Sequence, residues 1–390
     1  YAGKIQATYG NTALKRIEDN PYCLASDVSG IGFRTADRMA MSMGIKPENE
    51  SRIKAGIEFA LMQTASAGHT CLPEDKLLTE TARLLQIAYA DVYEVYKKLI
   101  RDDLLRKEEF AGTRLVYPEY LYRAEIGVVR RLLYLRDTVN RIWQVDYQSI
   151  IENWEHETGL KLAEAQIEAI SASVEHGIFI LTGGPGTGKT TVVKGILAVL
   201  EKAGCKILLA APTGRAARRL AESAGHPAST VHRMLEYTPN GDAYFFGRNE
   251  ENPLEADAII VDEASMLDIT LAHNLLKAVS VGCRLILVGD VDQLPSVGPG
   301  TVLKDIIRSK MMPVVRLNSI FRQAALSPIV LNAHRINKGL QPECDKCNDF
   351  CFTEINDEEE AAEYIVENYA RITADEGWEG VQVLEKKKKN

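Results

Sequence analysis

The sequence has little of what marks secreted, disulfide-linked or membrane-spanning proteins. Its seven cysteines are scattered along 390 residues, which favours a reducing compartment over a disulfide framework. Its longest apolar runs, such as residues 258–261, have the length of a strand and not of a membrane span. The first residues carry neither a basic leader nor a small-residue cleavage site. These absences predict a cytoplasmic protein without a membrane partner.

Basic residues are outnumbered by acidic ones. The chain has 46 Lys and Arg against 54 Asp and Glu, and its net charge is −8 at pH 7. This whole-chain average argues only weakly against a polyanionic partner, because phosphate contacts depend on local basic patches and backbone amides. A chain of 390 residues exceeds one ordinary hydrophobic core, so we expect two to four domains.

The middle of the chain alternates strand-like and helix-like segments. Between residues 146 and 318, short runs rich in Val, Ile and Leu are separated by longer stretches of helical character. Continuous apolar runs are typical of parallel strands that helices cover on both faces. The predicted fold class is α/β, with strands at 178–181, 206–210, 258–262, 284–288 and 314–317.

The flanking segments read as three further regions. Residues 1–66 form short helices punctuated by glycine, and residues 67–145 combine two or three helices with a strand pair around Gly112. The second pattern is compatible with a small winged helix. Residues 319–390 are predicted to contain a helix, a polar loop with cysteines, a helix over 357–372 and a strand over 381–384.

A glycine-rich loop follows the first apolar strand. Residues 183–190 read Gly-Gly-Pro-Gly-Thr-Gly-Lys-Thr and precede a helical run. In that context the glycines let backbone N–H groups turn toward a β-phosphate, and the helix N-terminus adds a favourable dipole. Lys189 would reach the β- and γ-phosphates, and the Thr190 hydroxyl would complete a Mg²⁺ shell. The motif predicts ATP and Mg²⁺ as cofactors, against the alternative of a glycine-rich turn that binds nothing. The predicted nucleotide contacts are Gly184, Pro185, Gly186, Thr187, Gly188, Lys189, Thr190 and Thr191.

Two neighbouring acids end the strand at 258–262. Side chains of adjacent strand residues diverge, so Asp262 and Glu263 can take different roles. Asp262 would hold Mg²⁺ through water, while Glu263 would orient and deprotonate the attacking water. The alternative is a pair of acids that caps the following helix, an interpretation that the glycine-rich loop upstream disfavours.

Two more polar side chains follow the later strands. Gln293 could sense the γ-phosphate or the attacking water, because an amide both donates and accepts hydrogen bonds. Arg322, just past the fifth strand, could reach across a cleft as an arginine finger. A solvated Gln293 and a surface ion pair of Arg322 are the structural alternatives. The predicted catalytic set is Lys189, Asp262, Glu263, Gln293 and Arg322, with Thr190 and Asp262 as metal-binding residues.

In order, these motifs resemble those of superfamily 1B DNA helicases of the RecD-like group, which move 5′ to 3′. The resemblance covers nearly the whole chain, including Leu-Ala-Glu-Ala-Gln at 162–166, Pro-Thr-Gly-Arg at 212–215 and Thr-Val-His at 230–232. Several motifs in order are more specific than any one alone. The resemblance implies a P-loop NTPase, with a first RecA-like domain over 146–318 and the beginning of a second over 319–390. It also implies an ATP-hydrolysing DNA helicase or translocase in DNA repair or recombination, located at the nucleoid.

The resemblance further implies how nucleotide and DNA are held. Gln166 would read the adenine edge. Small and hydroxyl residues with one Arg suit sugar–phosphate contacts without base readout. The alternative for 214–220 is the solvated face of a basic amphipathic helix. The implied partners are single-stranded DNA, duplex junctions and other repair proteins, with the chain acting as a monomer. The implied single-strand path is Pro212, Thr213, Gly214, Arg215, Thr230 and His232.

Two segments outside the nucleotide motifs are also predicted to bind DNA. Gly30 and Gly32 lie in a turn that resembles a helix-hairpin-helix over 1–66, whose exposed amides can hold a DNA phosphate. A purely structural helical hairpin is the alternative. Asn240-Gly241 predicts a hairpin turn in a small insertion near 236–254. Its tip would lie near the duplex fork as a strand-separating pin, and an ordinary surface hairpin is the alternative.

The C-terminal region departs from the family pattern. No second phosphate-sensing Arg is visible there, so we expect the 390-residue chain to bind ATP but to hydrolyse it and to separate strands poorly. Cys344, Cys347 and Cys351 supply three thiols where structural zinc needs four ligands, which favours a free-thiol loop over a metal site. Family members work alone or as the α subunit of a multi-subunit exonuclease (exodeoxyribonuclease V), and the extended N-terminal region favours the stand-alone form.

Two other functions stay open at this point. A P-loop nucleotide or small-molecule kinase would share the glycine-rich loop, but Gln293 and Arg322 count against it. A non-catalytic DNA-binding or assembly module with a vestigial nucleotide site is the other. Stimulation of ATP hydrolysis by single-stranded DNA would discriminate against the first, and nucleotide affinity that Lys189→Ala leaves unchanged would favour the second.

Overall fold

The computed structural model describes residues 1–138, 146–240, 243–319, 327–343, 349–378 and 381–384. The chain divides into two compact units, Tyr1–Phe321 and Arg322–Asn390. The first unit holds an N-terminal helical region and a large parallel sheet, and the second holds two helices. None of the helices in the described part of the chain combines the length and apolar character needed to cross a membrane.

Five helices form the beginning of the first unit. Their apolar faces share one core, in which Leu24, Ile53 and Ile57 are almost fully buried. The longest of them begins after Asn49, whose side chain accepts hydrogen bonds from the N–H groups of Ser51 and Arg52 and so caps the helix. The five helices are α1 (Ala2–Tyr9), α2 (Ala13–Asp19), α3 (Cys23–Asp27), α4 (Phe33–Ser42) and α5 (Glu50–Ser66).

A small antiparallel sheet and three helices follow. The strands lie in the order β1-β3-β2, and Ala111 and Gly112 both have positive φ, as a tight hairpin turn requires. The predicted strand pair around Gly112 is therefore confirmed. Leu77, Val92 and Val116 belong to the same core as the first five helices. The elements are β1 (Leu72–Pro73), α6 (Glu74–Leu85), α7 (Tyr89–Arg101), β2 (Leu105–Phe110), β3 (Thr113–Pro118) and α8 (Glu119–Asp137).

The remainder of the first unit is built on a six-stranded sheet. All its strand pairs are parallel and follow the order β11-β4-β10-β9-β5-β6, so the predicted parallel α/β sheet is confirmed. The strand β6 was not predicted, because its Ala-Ser-Thr sequence contains no apolar run. The strands are β4 (Ile178–Gly183), β5 (Ile207–Ala211), β6 (Ala228–Thr230), β9 (Ala258–Val261), β10 (Arg284–Gly289) and β11 (Val314–Leu317).

Helices cover this sheet on both faces. Consecutive residues of a strand point to opposite faces, and accordingly Phe179 and Leu181 join one core while Ile178 and Ile180 join another. The first core is closed by α9 (Tyr147–Thr158), α10 (Glu164–Glu175), α11 (Lys189–Lys202) and α12 (Gly214–Ala224). The second is closed by α8, α13 (Val231–Met234), α14 (Ile269–Ala278) and α15 (Val302–Ser309).

The helix α8 joins the N-terminal region to the large sheet. Its Leu121, Val128 and Leu132 are buried in the same core as Ile180 of the sheet. The Arg131 guanidinium donates to the carbonyl oxygens of Leu276, at 3.0 Å, and of Val279. These carbonyls lie at the C-terminal end of α14, where backbone acceptors lack partners within the helix. A helix from the segment predicted as winged-helix-like therefore forms one layer over the large sheet.

An antiparallel strand pair projects between α13 and β9. It consists of β7 (Tyr237–Asn240) and β8 (Ala243–Phe246), in the insertion where the sequence predicts a hairpin. Asn240 pairs with Ala243, and the predicted turn at Asn240-Gly241 stays a prediction. Residues 241 and 242 lie outside the described part of the chain.

The second unit contains α16 (Pro328–Asn337) and α17 (Glu358–Glu376). The predicted helix over 357–372 is confirmed, with the Asp357 side chain as its N-terminal cap. The predicted strand over 381–384 is wrong, because these residues have no regular structure. An apolar run becomes a strand only when its backbone pairs with a neighbour, and no described residue pairs with it. Arg322, Cys344 and Cys347 lie outside the described residues.

Candidate active site

The predicted nucleotide motifs meet at one edge of the large sheet. The strand β10 lies between β4 and β9, with Leu287 opposite both Ile180 and Val261. All three strands run in the same direction, so the segments that follow them emerge at the same edge. This edge is where open parallel sheets bind their ligands. The topology therefore brings together the glycine-rich loop, the two acids and the loop that carries Gln293.

The loop between β4 and α11 has a backbone that only glycine readily adopts. Gly186 and Gly188 have φ values of 73° and 83°, in the left-handed region. A Cβ atom on Gly183 would lie 2.7 Å from Oγ1 of Thr187 and 2.8 Å from the carbonyl oxygen of Leu317. The buried Thr187 hydroxyl donates to the Gly184 carbonyl at 2.8 Å. These constraints hold the loop in a curled form.

Lys189 places its ammonium group inside this curl. Its Nζ donates to the carbonyl oxygens of Gly183, at 2.5 Å, and Gly184, at 3.0 Å. Lys189 is also the first residue of α11, and a helix N-terminus attracts anions. A curled glycine-rich backbone, a helix start and an ammonium group together fit a phosphate group. Thr190 is exposed and Thr191 is half-buried at the same helix start.

Gln166 connects the loop to the preceding helix. It is buried in the first turn of α10, where its Oε1 accepts a hydrogen bond from the Ala163 N–H at 3.0 Å. Its Nε2 donates to the Gly188 carbonyl at 3.5 Å. The side chain predicted to read adenine therefore lies next to the glycine-rich loop and also helps to position it.

Asp262 and Glu263 follow β9 and diverge for a reason other than the predicted one. The strand ends at Val261, and Glu263 has a φ of 52°, a left-handed conformation that is unusual for a residue with a side chain. Its N–H donates to Oδ1 of Asp262 at 2.9 Å. The two carboxyl groups are separated by this backbone turn and not by strand alternation.

Burial dominates the electrostatics of both acids. It raises the pKa of Asp262, against a hydrogen bond from the Glu263 N–H and the charges of Lys189 and Arg219. Burial also raises the pKa of Glu263, and the neighbouring Asp262 raises it further, while Lys189 and Arg219 again oppose the shift. A carboxyl group with a raised pKa in a cleft is suited to accept a proton.

Two residues of this site were not predicted. Arg219 lies on the exposed face of α12 and interacts electrostatically with both carboxylates. Asp290 is buried at the end of β10 and contributes to the raised pKa of Glu263. Asp290 could have been predicted from the sequence, since it precedes Gln293 by three residues in the same loop motif. Arg219 could not, because its proximity to the acids depends on how α12 crosses the sheet edge.

The remaining predicted catalytic residues are less constrained. Gln293 has an exposed side chain in the loop after β10, and its N–H donates to the Asp290 carbonyl at 3.3 Å. Sensing of the γ-phosphate by Gln293 stays a prediction. Arg322 lies outside the described residues, so its predicted role as a finger also stays a prediction.

The residues predicted to contact DNA meet farther along the same sheet edge. Ala211, the last residue of β5, is opposite Thr230, the last residue of β6, which makes the segments after these strands neighbours. The hydroxyl of Thr213 accepts the Ala216 N–H at 3.3 Å, and that of Thr230 accepts the Arg233 N–H at 3.1 Å, so each caps a helix. Beside these half-buried threonines the segments contain Pro212, which is half-buried, and Gly214, Arg215 and His232, which are exposed.

His232 also contacts the root of the hairpin. Its ring lies edge-on to that of Tyr237, with 5.3 Å between ring centroids, and Tyr237 packs on Phe246 across the strand pair at 5.2 Å. The hairpin root is therefore held against the short helix α13, next to the predicted DNA path.

Comparison with known proteins assigns the chain. Residues 1–71 match the family model of the ATP-dependent RecD2 DNA helicase HHH domain, and residues 166–299 match that of an AAA domain. The ATP-dependent RecD2 DNA helicase of Deinococcus radiodurans is 35% identical over 350 residues, which is 86% of this chain. The RecBCD enzyme subunit RecD of Mycobacterium tuberculosis is 38% identical over 217 residues, half of this chain and 36% of its own.

The chain belongs to the RecD-like family. The RecD-like chain spans about half the length of the Deinococcus radiodurans relative, of which it covers 47%. Among solved structures, the crystal structure of Pif1 helicase from Candida albicans matches 54% of this chain and 55% of its own, with 19% identity and a TM-score of 0.36. This last likeness is only partial.

The N-terminal match includes the two glycines that were predicted to hold a DNA phosphate. In the RecD-like chain Gly30 has a φ of 92° and Gly32 is the N-terminal cap of α4, and both are exposed. The turn between α3 and α4 belongs to the N-terminal core and not to the core of the large sheet. Its glycines therefore form a surface distinct from the sheet edge.

Proposed function

We propose that this RecD-like chain hydrolyses ATP, with Mg²⁺, to drive movement along DNA and separation of its strands. The observation that carries the proposal is the position of two half-buried carboxyl groups at the sheet edge that holds the glycine-rich loop. Lys189 of that loop affects the pKa of both groups. This pairing of a phosphate cradle with a proton acceptor is the arrangement that phosphoryl transfer to water requires.

The chain's own residues would bind the triphosphate before any chemistry. The backbone amides of the loop 184–188 and the Lys189 ammonium would hold the β- and γ-phosphates. Lys189 would exchange its hydrogen bonds to Gly183 and Gly184 for phosphate oxygens. Thr190 and Asp262 would hold Mg²⁺, which neutralises phosphate charge when bound. Thr191 completes the helix start, and Gln166 would contact the adenine edge.

Glu263 would act as the general base. Its raised pKa brings the carboxylate closer in basicity to the proton that it must take from the attacking water. Its backbone is in the left-handed conformation directly after Asp262. We assign to Gln293 the sensing of the γ-phosphate, and to Arg322 the stabilisation of charge that develops there.

Single-stranded DNA would cross the sheet edge at the ends of β5 and β6. The exposed Arg215 and His232 lie beside two helix starts capped by Thr213 and Thr230, and helix starts present N–H groups to phosphates. Gly214 and Pro212 leave room for the backbone of the strand. The hairpin held by His232 would act as the pin at the duplex fork, and Gly30 and Gly32 would hold phosphates of flanking DNA.

Movement in the 5′ to 3′ direction, a role in repair or recombination, monomeric action at the nucleoid and contacts with other repair proteins follow from family membership alone. We include them in the proposal on that basis. Weak strand separation by these 390 residues also stays a prediction.

The deciding measurement is the ATPase rate with and without a single-stranded oligonucleotide of dT. We expect stimulation by DNA, and a loss of about 10²-fold or more in the stimulated rate for Lys189→Ala, because the lysine stabilises charge in the transition state. Lys202→Ala is the matched control, since Lys202 is exposed at the other end of the same helix. Hydrolysis that DNA does not stimulate, or nucleotide affinity unchanged in Lys189→Ala, would contradict the proposal.

A further inference from the structure

A cavity of about 460 Å³ opens between α8 and α15, among the helices that close the second core of the large sheet. Its floor is apolar and buried, and includes Val128 and Leu132 of α8 with Val302 and Ile306 of α15. None of the residues assigned to nucleotide or DNA lines it. Its volume falls in the range of roughly 300–1,000 Å³ that is usual for ligand-binding clefts.

The spacing of the lining residues shows which shape would fill the cavity. On α8 they are residues 125, 128, 129, 132 and 133, and on α15 they are 302, 305, 306 and 309. Both sets follow the i, i+3, i+4, i+7 spacing of one helix face, and on α8 the stripe extends over about 12 Å at 1.5 Å per residue. Two neighbouring helical stripes form the groove into which a third helix packs.

Two exposed apolar side chains stand on opposite walls of this groove. Val129 on α8 is 53% exposed, and Met311, just after α15, is 50% exposed. Apolar side chains at the rim of an apolar cavity favour an apolar occupant, because covering them removes further hydrocarbon surface from water.

One end of the groove is acidic. Glu125 of α8 and Asp305 of α15 both line it. Burial raises the pKa of Glu125 and a hydrogen bond with Thr70 opposes this shift, while the charges of Asp305 and Glu108 raise the pKa further. In the part of the chain that the structure describes, neither lining acid has an ion pair, although Asp305 accepts a hydrogen bond from the Thr301 hydroxyl at 2.8 Å. Near Met311, at the other end, Arg136 is paired with Asp137 at 2.7 Å and does not line the groove.

We propose that this groove binds an amphipathic helix of a partner protein, with aliphatic side chains along its floor and a Lys or Arg between Glu125 and Asp305. The apolar face would supply affinity through buried area. The basic residue would fix the direction of the helix, because only one end of the groove carries unpaired like charges. This surface is independent of the proposed ATPase, so either proposal can fail without the other.

The test uses the 390-residue chain and a fluorescein-labelled synthetic helix of about 18 residues, with leucines at i, i+3, i+4 and i+7 and a lysine one turn beyond. We expect fluorescence anisotropy to give a Kd of about 1–100 μM. Val129→Glu should weaken binding about 10-fold or more, because it places a charge against the apolar face of the peptide. Val281→Glu is the matched control, since Val281 is 56% exposed and does not line the groove. It should leave the Kd within about twofold.

The acidic end has its own test. Glu125→Gln with Asp305→Asn should weaken the lysine peptide several-fold, and a peptide with glutamate in place of lysine should bind the unmodified chain more weakly. Equal binding of the two peptides, or binding that Val129→Glu leaves unchanged, would overturn the proposal. The proposal would also be overturned if light scattering showed a dimer of this chain that Val129→Glu converts to monomers. In that case a second copy of the chain would cover the groove.

Discussion

Glu263 is the residue in which backbone conformation and chemistry are most closely connected. Its left-handed conformation has an energetic cost of order 1–3 kcal/mol that the surrounding structure must offset. The carboxyl group of Glu263 lies close enough to Lys189 and Asp262 for both to affect its pKa. Strain of this kind concentrates at functional sites, where it positions a reacting group.

Replacement of this acid should separate binding from hydrolysis. We expect Glu263→Gln to keep nucleotide affinity and to lower the DNA-stimulated ATPase rate about 10²–10⁴-fold, because the amide cannot accept the proton. Glu251→Gln, at an exposed position, is the control. A Glu263→Gln rate within about threefold of the unmodified chain would exclude a general base at this position.

The same substitution should not destabilise the protein. Since the folded pKa of Glu263 lies above the unfolded one, the ionised group is penalised in the folded state at all pH values above the folded pKa. That penalty disappears below the unfolded pKa, where both states are protonated. A neutral isostere removes the penalty at neutral pH, so the thermal midpoint of Glu263→Gln should be unchanged or a few degrees higher, on the order of 2–4 °C per kcal/mol.

Acidification should lower the proposed ATPase activity at a higher pH than it would if the carboxyl groups had ordinary pKa values. The pKa values of Asp262 and Glu263 are both raised, chiefly by burial, and the active forms are the ionised ones. The acid limb of the ATPase pH profile should therefore lie above the ordinary carboxyl pKa of about 4. The test is a measurement of kcat from about pH 5 to about pH 8, a range in which a raised carboxyl pKa would become visible. A profile that is flat to the point of acid unfolding would contradict the assigned shifts.

At the scale of elements, the end of β10 is packed against the turn that carries the acids. A Cβ atom on Gly289 would lie 2.7 Å from Cδ2 of Leu303 and 3.1 Å from the backbone nitrogen of Ser265. The second contact is with backbone and cannot be relieved by a side-chain rotation. The two strand ends are therefore held together only because residue 289 has no side chain.

Gly289→Ala should displace the turn after β9. We expect a loss of stability of about 1–3 kcal/mol from overpacking, together with reduced ATPase activity, because the position of Asp262 and Glu263 depends on this turn. Gly3→Ala is the control, since nothing lies within 4 Å of its Cβ position. Urea unfolding and the DNA-stimulated rate would measure the two effects. Full activity in a destabilised Gly289→Ala would show that the turn tolerates the displacement.

At the scale of the whole molecule, α8 makes the first unit continuous. Its apolar side chains lie in the core of the large sheet, while it follows directly on β3 of the N-terminal sheet. The two helices approach closely at Gly127, where a Cβ atom would meet the imidazole ring of His273 in α14. Movements of the sheet helices would therefore reach the N-terminal region through one shared helix.

Removal of the Arg131 contacts should weaken this connection. Arg131→Met keeps the aliphatic bulk but leaves the carbonyls of Leu276 and Val279 without their donor, so we expect a loss of about 1–3 kcal/mol. Arg130→Met, at an exposed position on the same helix, should change stability by less than about 0.5 kcal/mol. Hydrogen exchange should show faster exchange in both α8 and α14. An effect confined to α8 would mean that the two regions are not coupled here.

The sequence by itself determined the chemistry of the site. Glycines that permit positive φ, a lysine at a helix start and acids after a buried strand are constraints that act between neighbours in the chain, so residues 183–190, Asp262 and Glu263 could be identified without coordinates. The apolar runs predicted the parallel sheet in the same way. A strand that is buried on both faces is apolar at consecutive positions and does not alternate between apolar and polar residues. The order of the motifs, which matches that of the RecD-like family, supplied the proposed function.

The tertiary structure decided what depends on contacts between distant segments. The helical spacing of the apolar residues in α8 predicts an apolar face. It does not show whether that face packs on the N-terminal core or on the large sheet, which only the folded chain decides. The apolar run at 381–384 could not reveal whether a neighbouring strand exists. The electrostatic roles of Arg219 and Asp290 and the groove beside Val129 likewise arise only when the elements pack, because charge and shape act across space and not along the chain.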